Sequence, residues 1–215
     1  MDGHARRERL AGARLYLVLE GRPHGREPDA LLDAALRGGV DVVQLRDKEL
    51  SDAELVAAAV RFRRACDAHG ALFVLNDRPD LVEACGADGV HVGLEDATPA
   101  EARALVGTER LVGVSAHSRE EIEAAPAAGA DYLGVGTIFT TPTKAEEAVG
   151  LELVRIAAET ARLPWFAIGG IDLDTVGLVA AAGARGVAVV RAIRDAADPE
   201  RAARDLRAAI TRHAG

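Results

Sequence analysis

The chain has 215 residues and a formal net charge of −8, with 26 Lys and Arg against 34 Asp and Glu. An acidic balance argues against nucleic acid as a partner, because phosphate backbones select basic surfaces, whereas a small phosphorylated ligand needs only a few converging cations. No apolar run approaches the ~18 residues of a membrane span, and the Arg-rich start lacks the apolar core of a secretory signal, so no membrane association and a cytoplasmic location are expected.

Residues 1–13 are polar and are expected to form a flexible extension of one domain covering 1–215. Beyond them, short runs rich in Val, Leu and Ile predict strands at 15–20, 41–46, 72–76, 88–92, 111–115, 131–136, 164–168 and 186–190. These runs are apolar on both faces, as buried parallel strands are. Amphipathic stretches fall between them at 28–37, 51–68, 98–106, 118–128, 150–161 and 172–182. Several open on capping signals: Ser51 with Glu54, Thr98 with Glu101, and Ser118 with Glu121. Cys66 and Cys85 lie in helical patterns without metal-ligand spacing, and read as buried reduced thiols.

A weak repeat supports this rhythm. Gly39-Val40-Asp41, Gly86-Ala87-Asp88, Gly129-Ala130-Asp131 and Gly183-Ala184-Arg185 recur at intervals of 47, 43 and 54 residues. Each interval holds about two βα units, and each glycine supplies a left-handed helix stop before the next strand. The first strand leads into Glu20-Gly21-Arg22-Pro23, which is no glycine-rich phosphate fingerprint. The predicted fold is therefore α/β, a single (β/α)8 TIM barrel, with its active site at the carboxyl ends of the strands.

Polar residues gather at those ends. Only two lysines occur, Lys48 and Lys144, each shortly after a predicted strand. Gln44, Arg46 and Lys48 share one face if the second strand persists; Arg grips phosphate with paired N–H groups and Lys adds a point charge. Pairing of Arg46 and Lys48 with rim acids is the alternative. Asp77 and Asp96 end consecutive strands and together suit Mg²⁺ with diphosphate, or each caps a following helix. Ile168-Gly169-Gly170 and Val189-Val190-Arg191 have the form of a second phosphate site, or of a plain turn. His91 and His117 have no catalytic partner at a suitable spacing.

Six motifs together resemble the thiamine phosphate synthase family: Gln44-Leu45-Arg46-Asp47-Lys48, Leu75-Asn76-Asp77, His91 to Asp96, Gly113 to His117, Thr141-Pro142-Thr143-Lys144 and Ile168 to Ile171. The resemblance implies a transferase that joins 4-amino-5-hydroxymethyl-2-methylpyrimidine diphosphate to 4-methyl-5-(2-phosphoethyl)thiazole, by departure of diphosphate before attack by the thiazole nitrogen. It further implies that Gln44, Leu45, Arg46, Asp47, Lys48 and Asn76 bind the pyrimidine diphosphate, and that Asp77 and Asp96 hold Mg²⁺. Ser115 and Lys144 would contact the pyrimidine or its leaving group. Thr141, Pro142, Thr143, Gly170 and the backbone at Val190 and Arg191 would hold the thiazole phosphate. Catalysis would fall to Arg46, Lys48, Ser115 and Lys144.

Two residues depart from the family pattern: Leu94 stands where Gln is common, and Arg191 where Ser is frequent. The connection at 137–149, the longest between a strand and a helix, is expected to close over substrate. A homo-oligomer is compatible with the sequence. The competing readings are a sister barrel that isomerises the thiazole phosphate, and a catalytically silent phosphate-binding barrel.

Overall fold

The computed structural model describes residues 1–93, 97–140 and 149–212. Eight parallel strands follow one another around a closed barrel: β1 (Leu15–Leu19), β2 (Val42–Leu45), β3 (Leu72–Asn76), β4 (Gly89–Val92), β5 (Leu111–Ala116), β6 (Tyr132–Val135), β7 (Trp165–Ile168) and β8 (Val187–Val189). β8 pairs back onto β1, with Tyr16 opposite Ala188. The helices are α1 (Gly3–Gly12), α2 (Asp29–Arg37), α3 (Asp52–His69), α4 (Pro99–Val106), α5 (Arg119–Ala124), α6 (Gly150–Thr160), α7 (Val176–Ala181), α8 (Arg191–Arg194) and α9 (Pro199–Arg212). The expected (β/α)8 barrel is the fold that forms. No helix of the described residues is long and apolar enough to cross a membrane.

The two-residue period of the strands divides their side chains between two cores. Leu15, Leu17 and Leu19 of β1 face the helices, as do Phe73 and Leu75 of β3. Tyr16, Val18, Val42, Val74, Tyr132 and Phe166 fill the barrel interior. The interior packs edge to face: the Tyr16 and Phe166 rings lie 5.3 Å apart at 81°. Gly113 makes room for this cluster, since a Cβ there would overlap the Tyr132 ring. Gly113→Ala is expected to cost about 1–3 kcal/mol by overpacking, read as a lower Tm with a weakened near-ultraviolet tyrosine signal.

Residues 1–13 are not a flexible extension. Asp2 caps α1 by accepting the Ala5 N–H, and Leu10 of α1 is buried in the interior cluster at the amino-terminal end of the barrel. Arg6 reaches Asp88 at 2.9 Å and Arg7 reaches Asp131 at 2.8 Å. The helix is held largely by ion pairs, so its sequence lacks the apolar stripe that marks a packed helix.

Other boundaries shift for local reasons. Between β3 and β4 there is only a short 3-10 turn, Pro79–Leu81, rather than a helix, and Cys85 lies in the turns that follow. Both cysteines are free and buried, and burial pushes the Cys66 thiol up to about 12 and the Cys85 thiol up to about 11. α5 stops at Ala124, just before Pro126, which cannot continue it. Beyond β8 the chain adds α8 and α9, outside the helical stretches predicted above.

The Gly-x-Asp repeat has a second purpose at the barrel floor. Asp41, Asp88 and Asp131 begin or precede β2, β4 and β6, and each accepts the backbone N–H that starts or extends the preceding odd strand: Leu15, Phe73 and Val112 respectively. Each also meets an arginine: Arg207 from α9, Arg63 from α3 and Arg103 from α4. The fourth repeat has Arg185 in place of the acid.

Candidate active site

At the opposite, carboxyl end of the strands lies a cavity of about 850 Å³. Gln44, only 4% exposed, reaches it from within β2 and donates its Nε2 to the Tyr16 hydroxyl at 2.8 Å. β2 ends at Leu45, so Arg46 and Lys48 belong to the loop beyond the strand, yet both still line the cavity. The Arg46 guanidinium makes no hydrogen bond or ion pair among the described residues. Lys48, more than half exposed, places Nζ 3.5 Å from Asp77 Oδ2.

Asp77 follows β3 in the left-handed region, at φ 60°. A short polar side chain tolerates this conformation better than most. Its N–H donates to the His91 carbonyl at 2.9 Å, which turns the carboxylate toward the cavity rim, and Asn76 Nδ2 donates to Oδ2. Arg78, not Asp77, is the residue that precedes the Pro79–Leu81 turn, and no side chain caps it.

A hydrogen-bonded chain runs beneath these groups. The Tyr16 and Tyr132 hydroxyls are 3.0 Å apart, Tyr132 Oη lies 3.3 Å from His91 Nδ1, and His91 Nε2 lies 3.2 Å from Ser115 Oγ. Both tyrosines are fully buried, and burial pushes both phenols well above their ordinary range, so they stay protonated.

Across the cavity, Gly169 and Gly170 follow β7 at φ 107° and 63°. A Cβ on either would crowd the segment after β6, meeting Ile138 N at 2.8 Å from Gly169 and Thr140 O at 3.0 Å from Gly170. The glycines are therefore required by close backbone approach, and they line the cavity as well. Val190 and Arg191 border the same side, Arg191 exposed and its guanidinium without a hydrogen bond or ion pair among the described residues. Val149 N donates to Thr137 O at 2.8 Å and Gly150 N to Ile138 O at 3.1 Å. These bonds tie the two flanks of 141–148 together beside the cavity.

A family model described as thiamine monophosphate synthase matches residues 15–193. The chain belongs to that family. A thiamine-phosphate synthase of Acidothermus cellulolyticus is 46% identical over 204 residues, covering 94% of this chain and 96% of its own length. One of Streptomyces avermitilis is 46% identical over 211 residues, covering 97% and 98%. A solved thiamine phosphate pyrophosphorylase from Pyrococcus furiosus superposes with a TM-score of 0.86 at 32% identity, covering 97% of this chain and 99% of its own.

Against the site expected of a thiamine monophosphate synthase, the structure brings Gln44, Arg46, Lys48, Asn76, Asp77 and Ser115 to one cavity with Gly170, Val190 and Arg191. Two residues of the second-strand motif do not line it. Leu45 faces the helix layer, fully buried, because it alternates with Gln44. Asp47 instead braces its loop, accepting from Gly21 N at 3.1 Å and Glu49 N at 3.1 Å. Asp96, Thr141, Pro142, Thr143 and Lys144 lie outside the described residues, as does Leu94. Sequence reasoning missed Tyr16, Tyr132 and Thr137 as cavity residues. The available signal was the tyrosine count of two, both inside otherwise aliphatic strands.

Proposed function

We propose that this cavity binds the pyrimidine diphosphate and the thiazole phosphate together and carries out the thiamine-phosphate synthase reaction through charge stabilisation and alignment, without a protein nucleophile. The chain is a synthase of this family, an alkyl-transferring enzyme. The observation that carries the residue assignment is the Arg46 guanidinium, unpaired among the described residues, in one cavity with Lys48 and Asp77.

In this reading Arg46 and Lys48, with Lys144, neutralise the diphosphate as its bond to the pyrimidine methylene breaks. Groups preorganised where charge develops supply the largest catalytic share in reactions of this kind. Gln44 and Ser115 orient the pyrimidine ring, and Gly170, Thr141 to Thr143, Val190 and Arg191 hold the thiazole phosphate so that its ring nitrogen faces the methylene. Alignment of two bound reactants removes much of the entropic barrier.

The donor set fits Mg²⁺. Asp77 presents hard carboxylate oxygens at the rim beside the cations, and Mg²⁺ is commonly held by one or two carboxylates plus phosphate oxygens and water. Among the described residues no group of three or more His, Cys, Asp or Glu could enclose a metal ion unaided. Asp77 and Asp96 would hold the ion, which supplies further neutralisation of the diphosphate oxygens.

Both substrates are small and phosphorylated, and we place the enzyme in the cytoplasm, with no nucleic-acid or membrane partner. An isomerase acting on the thiazole phosphate alone would have no use for the Arg46, Lys48 and Asp77 group. Purified protein supplied with both substrates is expected to release diphosphate, and to stop when EDTA removes Mg²⁺. Protein that bound thiazole phosphate yet released no diphosphate with Mg²⁺ present would refute the assignment.

A further inference from the structure

The five side chains Gln44, Tyr16, Tyr132, His91 and Ser115 come from β2, β1, β6, β4 and β5, and link across the barrel interior in four consecutive hydrogen bonds of 2.8, 3.0, 3.3 and 3.2 Å. Gln44 begins the chain as a donor through its amide nitrogen. Each phenol carries one proton, and Tyr132 Oη is the one acceptor that Tyr16 Oη meets among the described residues. A Tyr16 hydroxyl that accepts from Gln44 therefore keeps its own proton bonded by donating it to Tyr132. By the same count Tyr132, once it accepts from Tyr16, has His91 Nδ1 as the acceptor for its own proton. That nitrogen then has no proton, and the neutral imidazole carries its N–H on Nε2, facing Ser115 Oγ. Ser115 Oγ then accepts from His91 on one lone pair, and its O–H is left to donate.

We propose that this chain is a one-directional positioning device, in which Tyr16, Tyr132 and His91 fix Ser115 as a hydrogen-bond donor and Gln44 Oε1 as an acceptor toward the pyrimidine diphosphate. The inference rests on the synthase reading of the cavity and adds residues that this reading does not use. Both ends line the cavity, and no hydrogen bond from the described residues reaches Gln44 Oε1. The polarity suits a dissociating substrate. An acceptor carbonyl favours a ligand N–H that gains positive charge as the diphosphate departs, and a hydroxyl donor favours a ligand oxygen or ring nitrogen bearing a lone pair. The two phenols border the cavity but are only 2% and 0% exposed, which restricts exchange of their hydrogen bonds with solvent. The Tyr132 ring also lies against the imidazole, tilted at 43° with ring centroids 5.5 Å apart, which restrains rotation of His91.

The tautomer can be read directly. Nitrogen-15 spectra of the ligand-free protein, with the signal identified by its loss in His91→Gln, are expected to show neutral His91 protonated at Nε2. Tyr132→Phe is expected to lose that fixed tautomer and to lower kcat about three- to tenfold, the scale of one net hydrogen bond, with KM for the thiazole phosphate unchanged. Adding Ser115→Ala to Tyr132→Phe should cost less than the two separate effects combined, because both act through one chain. If Tyr132→Phe fails to fold, Tyr16→Phe interrupts the chain one bond earlier and should show the same kcat loss and the same non-additivity.

A wild-type His91 protonated at Nδ1, or strictly additive effects of Tyr132 and Ser115, would overturn the proposal. Neither outcome touches the synthase reading, which stands or falls on diphosphate release by the unmodified protein.

Discussion

Replacing Asp77 by Asn is expected to lower kcat by about 10²–10³-fold, the scale of removing one preorganised charge-stabilising group from an active site. Asn matches the shape of Asp and is among the few residues that sit comfortably at positive φ. The backbone at φ 60° and its N–H bond to His91 O should therefore survive. The substitution removes the carboxylate charge that faces Lys48 and accepts from Asn76 Nδ2. The thermal midpoint should accordingly move by roughly 2 °C or less, since this amounts to under a kilocalorie in a chain of this size. If Asp77 holds Mg²⁺, the concentration giving half-maximal rate should also rise by roughly 10–100-fold, as when a metal site loses a supporting group. Diphosphate release followed across a Mg²⁺ titration measures both quantities. Near-normal turnover at low Mg²⁺ would remove Asp77 from the mechanism.

The largest stability effect is expected at the other end of the barrel. Asp88 and Arg6 are nearly inaccessible, their side chains 4% and 8% exposed, and Arg63 binds the second carboxylate oxygen. Asp88→Ala leaves Arg6 buried without its partner, a situation that costs about 3–5 kcal/mol. For a chain of this length the Tm should fall by roughly 10 °C.

The same group predicts a pH dependence. Burial by itself would raise the Asp88 pKa, but the Phe73 N–H, Arg63 and Arg6 outweigh it and hold the carboxyl below its ordinary value. A carboxylate depressed in the folded state contributes stability at pH above its unfolded value, and loses it as the pH falls through the folded one. The wild type should therefore lose Tm below about pH 4, and Asp88→Asn should lose less over that window, so that the two curves converge in acid. Parallel curves would show that Asp88 does not couple folding to protonation.

Much of the barrel was legible because its strands are apolar on both sides, a pattern that only a sheet covered by helices accounts for. The Gly-x-Asp repeat marked the helix-to-strand turns, although its aspartates proved as informative as its glycines, since they tie neighbouring strands and helices to one another. α1 escaped notice because its contacts to the floor are charged: Arg6 and Arg7 read as solvated residues until Asp88 and Asp131 come into view from 82 and 124 residues away. At the site, charge and spacing picked out Arg46, Lys48 and Asp77. Contiguity misled at Leu45 and Asp47, because alternation sends Leu45 to the outer core and a turn draws Asp47 back to its own loop. Tyr16 and Tyr132 read as packing residues because nothing in a strand sequence tells which hydroxyl will find another across the barrel.

The three aspartate–arginine ties at the floor differ in how much chain they enclose. Asp88 meets Arg63 across 25 residues, and Asp131 meets Arg103 across 28, whereas Asp41 meets Arg207 across 166. During synthesis the two short ties can form as soon as their own quarter of the barrel emerges. The tie at β1 and β2 must wait until α9 has left the ribosome. A chain arrested before Arg207 thus carries Asp41 without its guanidinium, so this tie, unlike the other two, depends on α9 having docked.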